Sequence, residues 1–410
     1  MGGNTRAINR STGELVTFAG RPAYADKIDM RSVDRTTLKR DFVDAMIALD
    51  ELHRSQFGEP IWPAKTRNSV LSSGEAFSGS SEHLFSNKLS DEDFAAHKPL
   101  VGDIDLTVPS ERIESIFELL TGIEGRPITD KVSYVGQNRS TSAGHQINSL
   151  FAYSPTQKSK PLFVQIDFEA VEYAGGKPDE FSKFGHSSSW QDVTAGVKGV
   201  FHKYLLRSLA SMASANPDVV LLTDKSPLQP PEKIKVKKTT SPVTLLSFSV
   251  DRGLRTTAVQ QFLPDGSPLT VAGKLAYKEI SPANSSYART KAEIFSLLFG
   301  VTPSASDLAL LESFTGVLRL MKDHLDDGQV EDVYLDMVQE KLYGSGQALD
   351  LSSPAADMSA KSAAIVRFQE EFPFLKGHDD MLKDLQQKYY ASYKVRVSES
   401  KLWNLRNFDA

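Results

Sequence analysis

Val101-Gly-Asp-Ile-Asp-Leu-Thr-Val108 sets two carboxylates two residues apart in a run of alternating polar and apolar residues. Ile104, Leu106 and Val108 alternate with Asp103, Asp105 and Thr107, the two-residue period of a β-strand with one buried face. Asp103 and Asp105 therefore point the same way. Two unit charges about 4 Å apart repel by roughly 4 kcal/mol at an effective dielectric near 20. A pair kept at that cost implies something positive for it to hold. A hard divalent cation, Mg²⁺ or Mn²⁺, is the natural candidate, because Mg²⁺ takes oxygen ligands from one or two carboxylates together with substrate phosphates. A third carboxylate recurs in a similar setting. In Pro161-Leu-Phe-Val-Gln-Ile-Asp-Phe-Glu-Ala170, Val164, Ile166 and Phe168 alternate with Gln165, Asp167 and Glu169. Asp167 is thus expected on the polar face of a second strand. Glu169 shares that face and reads as a surface charge.

Upstream, Ser73-Gly-Glu-Ala-Phe-Ser-Gly-Ser-Ser81 is a turn of small residues with Gly79-Ser80 near its end. A Gly-Ser turn, then a D-h-D strand (h is apolar), then a later h-D-h strand resembles the polymerase-β-like nucleotidyltransferase superfamily. The resemblance spans roughly residues 60–210. It implies that Asp103, Asp105 and Asp167 bind two Mg²⁺ ions, with Asp167 nearest the attacking hydroxyl. It also implies that the Gly79-Ser80 turn holds the nucleotide phosphates, Gly79 by letting the backbone come close and Ser80 by donating to them. The gap from Ser80 to Asp103 is longer than most members have. It carries a charged insert, Ser86-Asn-Lys-Leu-Ser-Asp-Glu-Asp93.

A helix with a triphosphate-contacting lysine follows the catalytic sheet in many members. Here the pattern predicts one helix from about Trp190 to Ala213, carrying Lys198, Lys203 and Arg207. Lys203 and Arg207 are one turn apart and share a face. The resemblance leaves Lys198 and Lys203 both open as the phosphate contact. The run Gly196-Val-Lys-Gly-Val-Phe-His-Lys-Tyr-Leu-Leu-Arg207 is also similar to predicted nucleotidyltransferases of tailed phages, which implies work in a host cytoplasm.

The implied activity is transfer of a nucleoside monophosphate from a nucleoside triphosphate such as ATP to an acceptor hydroxyl, with release of pyrophosphate. RNA or tRNA ends, a protein side chain, a small molecule and another nucleotide all remain open as acceptors. Two other readings use the same residues: a nucleotidyltransferase-like binding or structural module without turnover, and a metal-dependent nuclease.

Composition narrows the alternatives. The 410 residues suit two or three domains, and 40% hydrophobic with 24% charged residues is ordinary for a globular chain. A net charge of -5 excludes a generally basic nucleic-acid coat. With no cysteine there is no disulfide, thiolate zinc site or cysteine nucleophile, which fits a reducing, cytoplasmic setting. No apolar run reaches membrane-span length, and no signal-peptide pattern opens the chain, so no membrane partner is expected. The histidines lack metal-ligand spacing. P-loop, dinucleotide-binding and nucleophile-elbow glycine motifs are missing.

Residues 1–30 read as a polar N-terminal arm. A catalytic core is expected over 31–215, a Pro-rich linker and β-rich segment over 216–282, and a helical C-terminal domain over 283–410. In the core, Leu38, Phe42, Met46, Leu49 and Leu52 fall at helical steps between Val33 and Gln56. Asn68–Ser73 reads as a strand entering the Gly-Ser turn. Pro109-Ser110 starts a second helix that Gly122 ends. Arg126–Val135, Gln146–Tyr153 and Leu162–Glu172 read as strands. The result is an α+β fold, a mixed sheet with helices on one side. Further on, Lys233–Lys238 is a basic run, Pro264-Asp-Gly-Ser-Pro268 signals a hairpin, and Leu308 to Leu325 reads as one amphipathic helix capped near Ser306.

Overall fold

The computed structural model describes residues 5–9, 12–86, 88–137, 146–156, 160–214, 219–222, 238–239, 243–263, 270–271, 274–279, 286–344, 354–389 and 391–392. The chain divides into two compact units. One comprises Met1–Gly199 with Asp350–Ser359, the other Val200–Leu349 with Ala360–Ala410. The β-rich segment and most of the C-terminal helices share the second unit.

The first unit is built on a mixed four-stranded sheet. Its strands follow two short pairs in the chain: β1 (Thr17–Phe18) with β2 (Arg21–Pro22), and β3 (Ile28–Asp29) with β4 (Leu100–Val101). The sheet itself comprises β5 (Asp103–Pro109), β6 (Val132–Gln137), β7 (Gln146–Tyr153) and β8 (Leu162–Val171), in the order β5-β8-β7-β6. β5 runs parallel to β8, and β7 is antiparallel to both β8 and β6. The helices of this unit are α1 (Arg35–Phe57), α2 (Arg67–Ser73), α3 (Ser81–Phe85), α4 (Asp91–His97), α5 (Ile113–Gly122), α6 (Glu180–His186) and α7 (Trp190–Thr194), and α8 (Gly199–Ala213) follows.

Alternation gives the sheet two unlike faces. Ile104, Leu106, Val108, Ile147, Phe151, Ile166 and Phe168 form one face and share a core with Leu38, Phe42, Met46 and Leu49 of α1 and Ile116 and Leu120 of α5. Each such side chain contributes roughly 1.5–3 kcal/mol when fully buried. α1 begins where the Asp34 side chain accepts from the N–H groups of Thr36 and Thr37, and it ends at Gly58 with φ 81°.

The other face carries the carboxylates, and the N-terminal segment covers part of it. The expected loose arm is instead packed. Ala7 and Ala23 are fully buried against Val135, Leu150, Ala152 and Phe163. Backbone bonds from Ala7 N to Ala23 O (3.1 Å), Val16 N to Ala7 O (2.9 Å) and Ala23 N to Val16 O (2.9 Å) fold the segment on itself. Its anchors are small residues and main-chain groups, which leave no apolar pattern in the sequence.

Three further expectations are corrected. Asn68–Ser73 belongs to helix α2, not a strand: its buried residues, Val70 and Leu71, are adjacent rather than alternate. Arg126–Lys131 is not strand; Gly125 at φ 74° turns the chain back, and Ile128 N bonds Val132 O at 2.9 Å. The long helix from Trp190 is two, α7 and α8, interrupted at Gly196 with φ 73°, where Val197 N reaches back to Asp192 O at 2.9 Å. Lys198 therefore precedes α8 and shares no helix face with Lys203.

The charged insert is held by one buried side chain of α1. Arg35 of α1 is buried and donates to the carbonyls of His83, Leu84, Ser86 and Leu89 and to Asp91 Oδ1. Five guanidinium donors meet five acceptors there, so α3 and α4 are fastened to α1.

In the second unit Gly253–Leu263 pairs antiparallel with Val243–Ser249, Lys274–Glu279 and Ser286–Ala288, so the segment is β-rich as expected. Helix Lys291–Phe299 opens with a Thr290/Glu293 capping box and stops at Gly300. The amphipathic run from Leu308 is two helices, Ala305–Leu310 and Phe314–His324; Ser304 caps the first and Ser313 the second. Residues 233–237 and 264–268, with the basic run and the hairpin signal, lie outside the described residues. Among the described residues no helix is long and apolar enough to cross a membrane.

Candidate metal centre

The parallel pairing of β5 with β8 aligns Asp103 with Gln165, Asp105 with Asp167 and Thr107 with Glu169. All six lie on the sheet face turned away from α1 and α5. Asp103, Asp105 and Asp167 each offer an oxygen within 4.8 Å of the others. Carboxylates far apart in the chain thus converge, as the two alternating strands predict. Asp167 is buried, and Asp103 and Asp105 are half-buried.

The electrostatic cost of this arrangement is visible in proton affinity. Burial of its carboxylate pushes Asp105 well above the usual range, and the charges of Asp103, Glu169 and Asp167 push it further. Burial and then Asp103 push Asp167 up to about 7, against hydrogen bonds from Asn148 and Gln165 that lower it. The Gln165 Nε2 donates to both oxygens of Asp167, at 2.9 and 2.8 Å.

The Gly-Ser turn is fastened beside β5. Thr107 N bonds Ala76 O at 2.7 Å, Ser78 N bonds Asp105 O at 3.1 Å, and Asp105 N donates to Ser81 Oγ at 3.0 Å. At Gly79 φ is 56°, and a Cβ there would lie 2.6 Å from Asp105 Oδ2. Glycine at this position makes room for a carboxylate and permits a left-handed backbone. Its own N–H is engaged by His186 O at 2.8 Å, so its backbone donor is not aimed at a phosphate. Gly79→Ala is therefore expected to displace Asp105 and to cost about 1–3 kcal/mol in backbone strain. A melting temperature and divalent-cation affinity equal to the parent's would contradict this. Ser80 is half-buried and stands at the start of α3, where its side chain makes no capping bond.

Glu169 is no surface charge. It accepts from Ser78 Oγ at 2.6 Å, and its Oε2 lies 3.2 Å from His186 Nδ1. Ser78 and Gly79 are thereby tied to both β8 and the end of α6.

The two candidate lysines are placed differently. Lys198 Nζ pairs with Asp357 Oδ1 at 3.1 Å. Lys203 belongs to the second unit, where it is buried with its amine 3.1 Å from His202 Nδ1. His202 Nε2 in turn meets Leu311 O at 2.9 Å, an arrangement that anchors a core. Among the described residues Lys98 is a cation that feels Asp103 and Asp105, and sequence reasoning missed it. Burial lowers its pKa, the charges of Asp103 and Asp105 raise it, and Lys198 and Lys27 lower it again. Its only sequence signal is a basic residue just ahead of the D-h-D strand.

This donor set fits a hard divalent cation. It is all carboxylate oxygen, closely convergent and mutually repelling, and a bound cation would relieve that repulsion. Asp103, Asp105 and Asp167 would hold it. Comparison of the chain with protein-family models, curated proteins and solved structures found no match.

Proposed function

We propose that the protein is a Mg²⁺-dependent nucleotidyltransferase of the polymerase-β-like kind. It moves a nucleoside monophosphate from a nucleoside triphosphate to an acceptor hydroxyl. The observation that carries this is the convergence of Asp103, Asp105 and Asp167 on one sheet face, with the Gly79-Ser80 turn folded against Asp105. In the reaction the acceptor oxygen bonds to the α-phosphorus, the bond to the bridging oxygen breaks, and pyrophosphate leaves with the electron pair. Divalent cations at this site would lower the pKa of the acceptor hydroxyl and neutralise charge on the departing pyrophosphate.

The chain's own residues divide the remaining work. Asp103 and Asp105, beside the turn, form the phosphate side. Ser80 donates its hydroxyl to a phosphate oxygen. Lys98 and Lys198 add positive field for the triphosphate. Asp167 would face the acceptor, where its carboxylate would help hold the cation that activates the hydroxyl, the proton passing to solvent. RNA or tRNA ends, protein side chains, small molecules and other nucleotides all offer a hydroxyl to this chemistry.

The test is incubation with each α-labelled triphosphate, Mg²⁺ and a pool of RNA and protein. Label retained on a macromolecule, with pyrophosphate released, is the expected result. Mononucleotides freed from the RNA without label uptake would mark a nuclease. No product at all would mark a binding module.

A further inference from the structure

We propose that the N-terminal segment sets the geometry of the metal centre through Gln165, a positioning residue that links the Thr5 N–H to both oxygens of Asp167. The proposal rests on the three aspartates being a metal centre. Gln165 is buried on β8, two residues before Asp167 and on the same face. Its Oε1 accepts from Thr5 N at 2.9 Å, and its Nε2 donates to Asp167 at 2.9 and 2.8 Å.

Only one orientation of the amide satisfies both neighbours. A backbone N–H can only donate, so it requires the amide oxygen. An ionised carboxylate can only accept, so it requires the NH₂ group. Thr5 thus selects the same end of Gln165 for Asp167 that the carboxylate itself requires. Without Thr5 the amide loses one of the two partners that hold its orientation.

The Thr5 peptide is itself held. Ala25 N donates to Thr5 O at 2.9 Å, and Thr5 is buried. Beside it, Asp26 N bonds Phe163 O at 2.7 Å and Phe163 N bonds Asp26 Oδ2 at 2.8 Å, two residues from Gln165 along β8. The segment is therefore stitched to the strand that carries Asp167. A neutral amide suits this place. It orients the carboxylate without supplying a positive charge that would compete with the cation, and it leaves the remaining lone pairs of Asp167 for ligation.

The experiment is titration with Mn²⁺, followed by electron paramagnetic resonance of the free ion. It compares the parent, Gln165→Leu, Thr5→Pro, which removes the donor N–H, and the double variant. Melting curves establish that each is folded, and Gln165→Met replaces Gln165→Leu if the latter is not. Loss of an outer-shell partner costs about 10- to 100-fold in metal affinity, so Gln165→Leu is expected to weaken Mn²⁺ binding by that factor. Thr5→Pro should weaken it less, and the double variant should bind like Gln165→Leu alone, because both changes break one relay. If Gln165→Leu binds like the parent, or if the two losses add in full, the relay is overturned. A parent that takes up no Mn²⁺ overturns the metal centre and the relay with it.

Discussion

Asp105→Asn is expected to abolish nucleotidyl transfer while leaving the fold intact. The substitution keeps the shape of the side chain. The backbone bonds that seat the residue, from Asp105 N to Ser81 Oγ and from Ser78 N to Asp105 O, are untouched. What is lost is one negative charge from a crowded site. Asp103, Glu169 and Asp167 each disfavour a charged Asp105, so the cation-free protein should melt no lower than the parent. Activity should fall by at least about 10²–10³-fold, the usual effect of removing one preorganised electrostatic group from a reaction centre. Initial rates of α-label transfer and melting curves on the same preparation check both halves. Full activity with a melting temperature several degrees lower would contradict both.

The cation-free protein is also expected to lose stability as pH rises from about 4 to about 7. Asp167 titrates near 3.8 in the unfolded chain and near 7 in the folded one. Between those values the unfolded state binds fewer protons than the folded state, so unfolding becomes easier with rising pH. Asp105 shifts in the same direction and adds to the trend. A divalent cation replaces the missing protons as counter-charge. Mg²⁺ should therefore raise the melting temperature by several degrees at about pH 7.5 and by much less at about pH 5. At a hundred times the dissociation constant, bound ligand contributes about 2.7 kcal/mol. Melting curves with Mg²⁺ and with chelator at both pH values check this. Identical curves at the higher pH would remove the proposed coupling between cation and carboxylates.

The strands of the site were legible because their signal is local. The two-residue period in Ile104–Val108 and Val164–Phe168 follows from one buried sheet face and one polar face, and both strands form in register. The core helix from Arg35 was legible for the same reason. What escaped the sequence depends on partners far along the chain. Ala7, Ala23 and Thr5 look like a polar arm because their contacts with β8 and its neighbours are made by small side chains and main-chain groups. Glu169 looks like a surface charge until Ser78 and His186 are brought to it. Lys98 matters only because the insert returns it to the start of β5. The break at Gly196 was hidden because the apolar residues on either side keep helical spacing, whereas the left-handed backbone there is a property of one glycine.

The most direct test of the proposed centre is Mn²⁺ uptake at about pH 7.5 by the parent and by Asp105→Asn, measured side by side on folded protein. The expected result is saturable binding by the parent and its loss in Asp105→Asn. Equal uptake by the two chains, or none by the parent, would show that Asp103, Asp105 and Asp167 are not a metal centre.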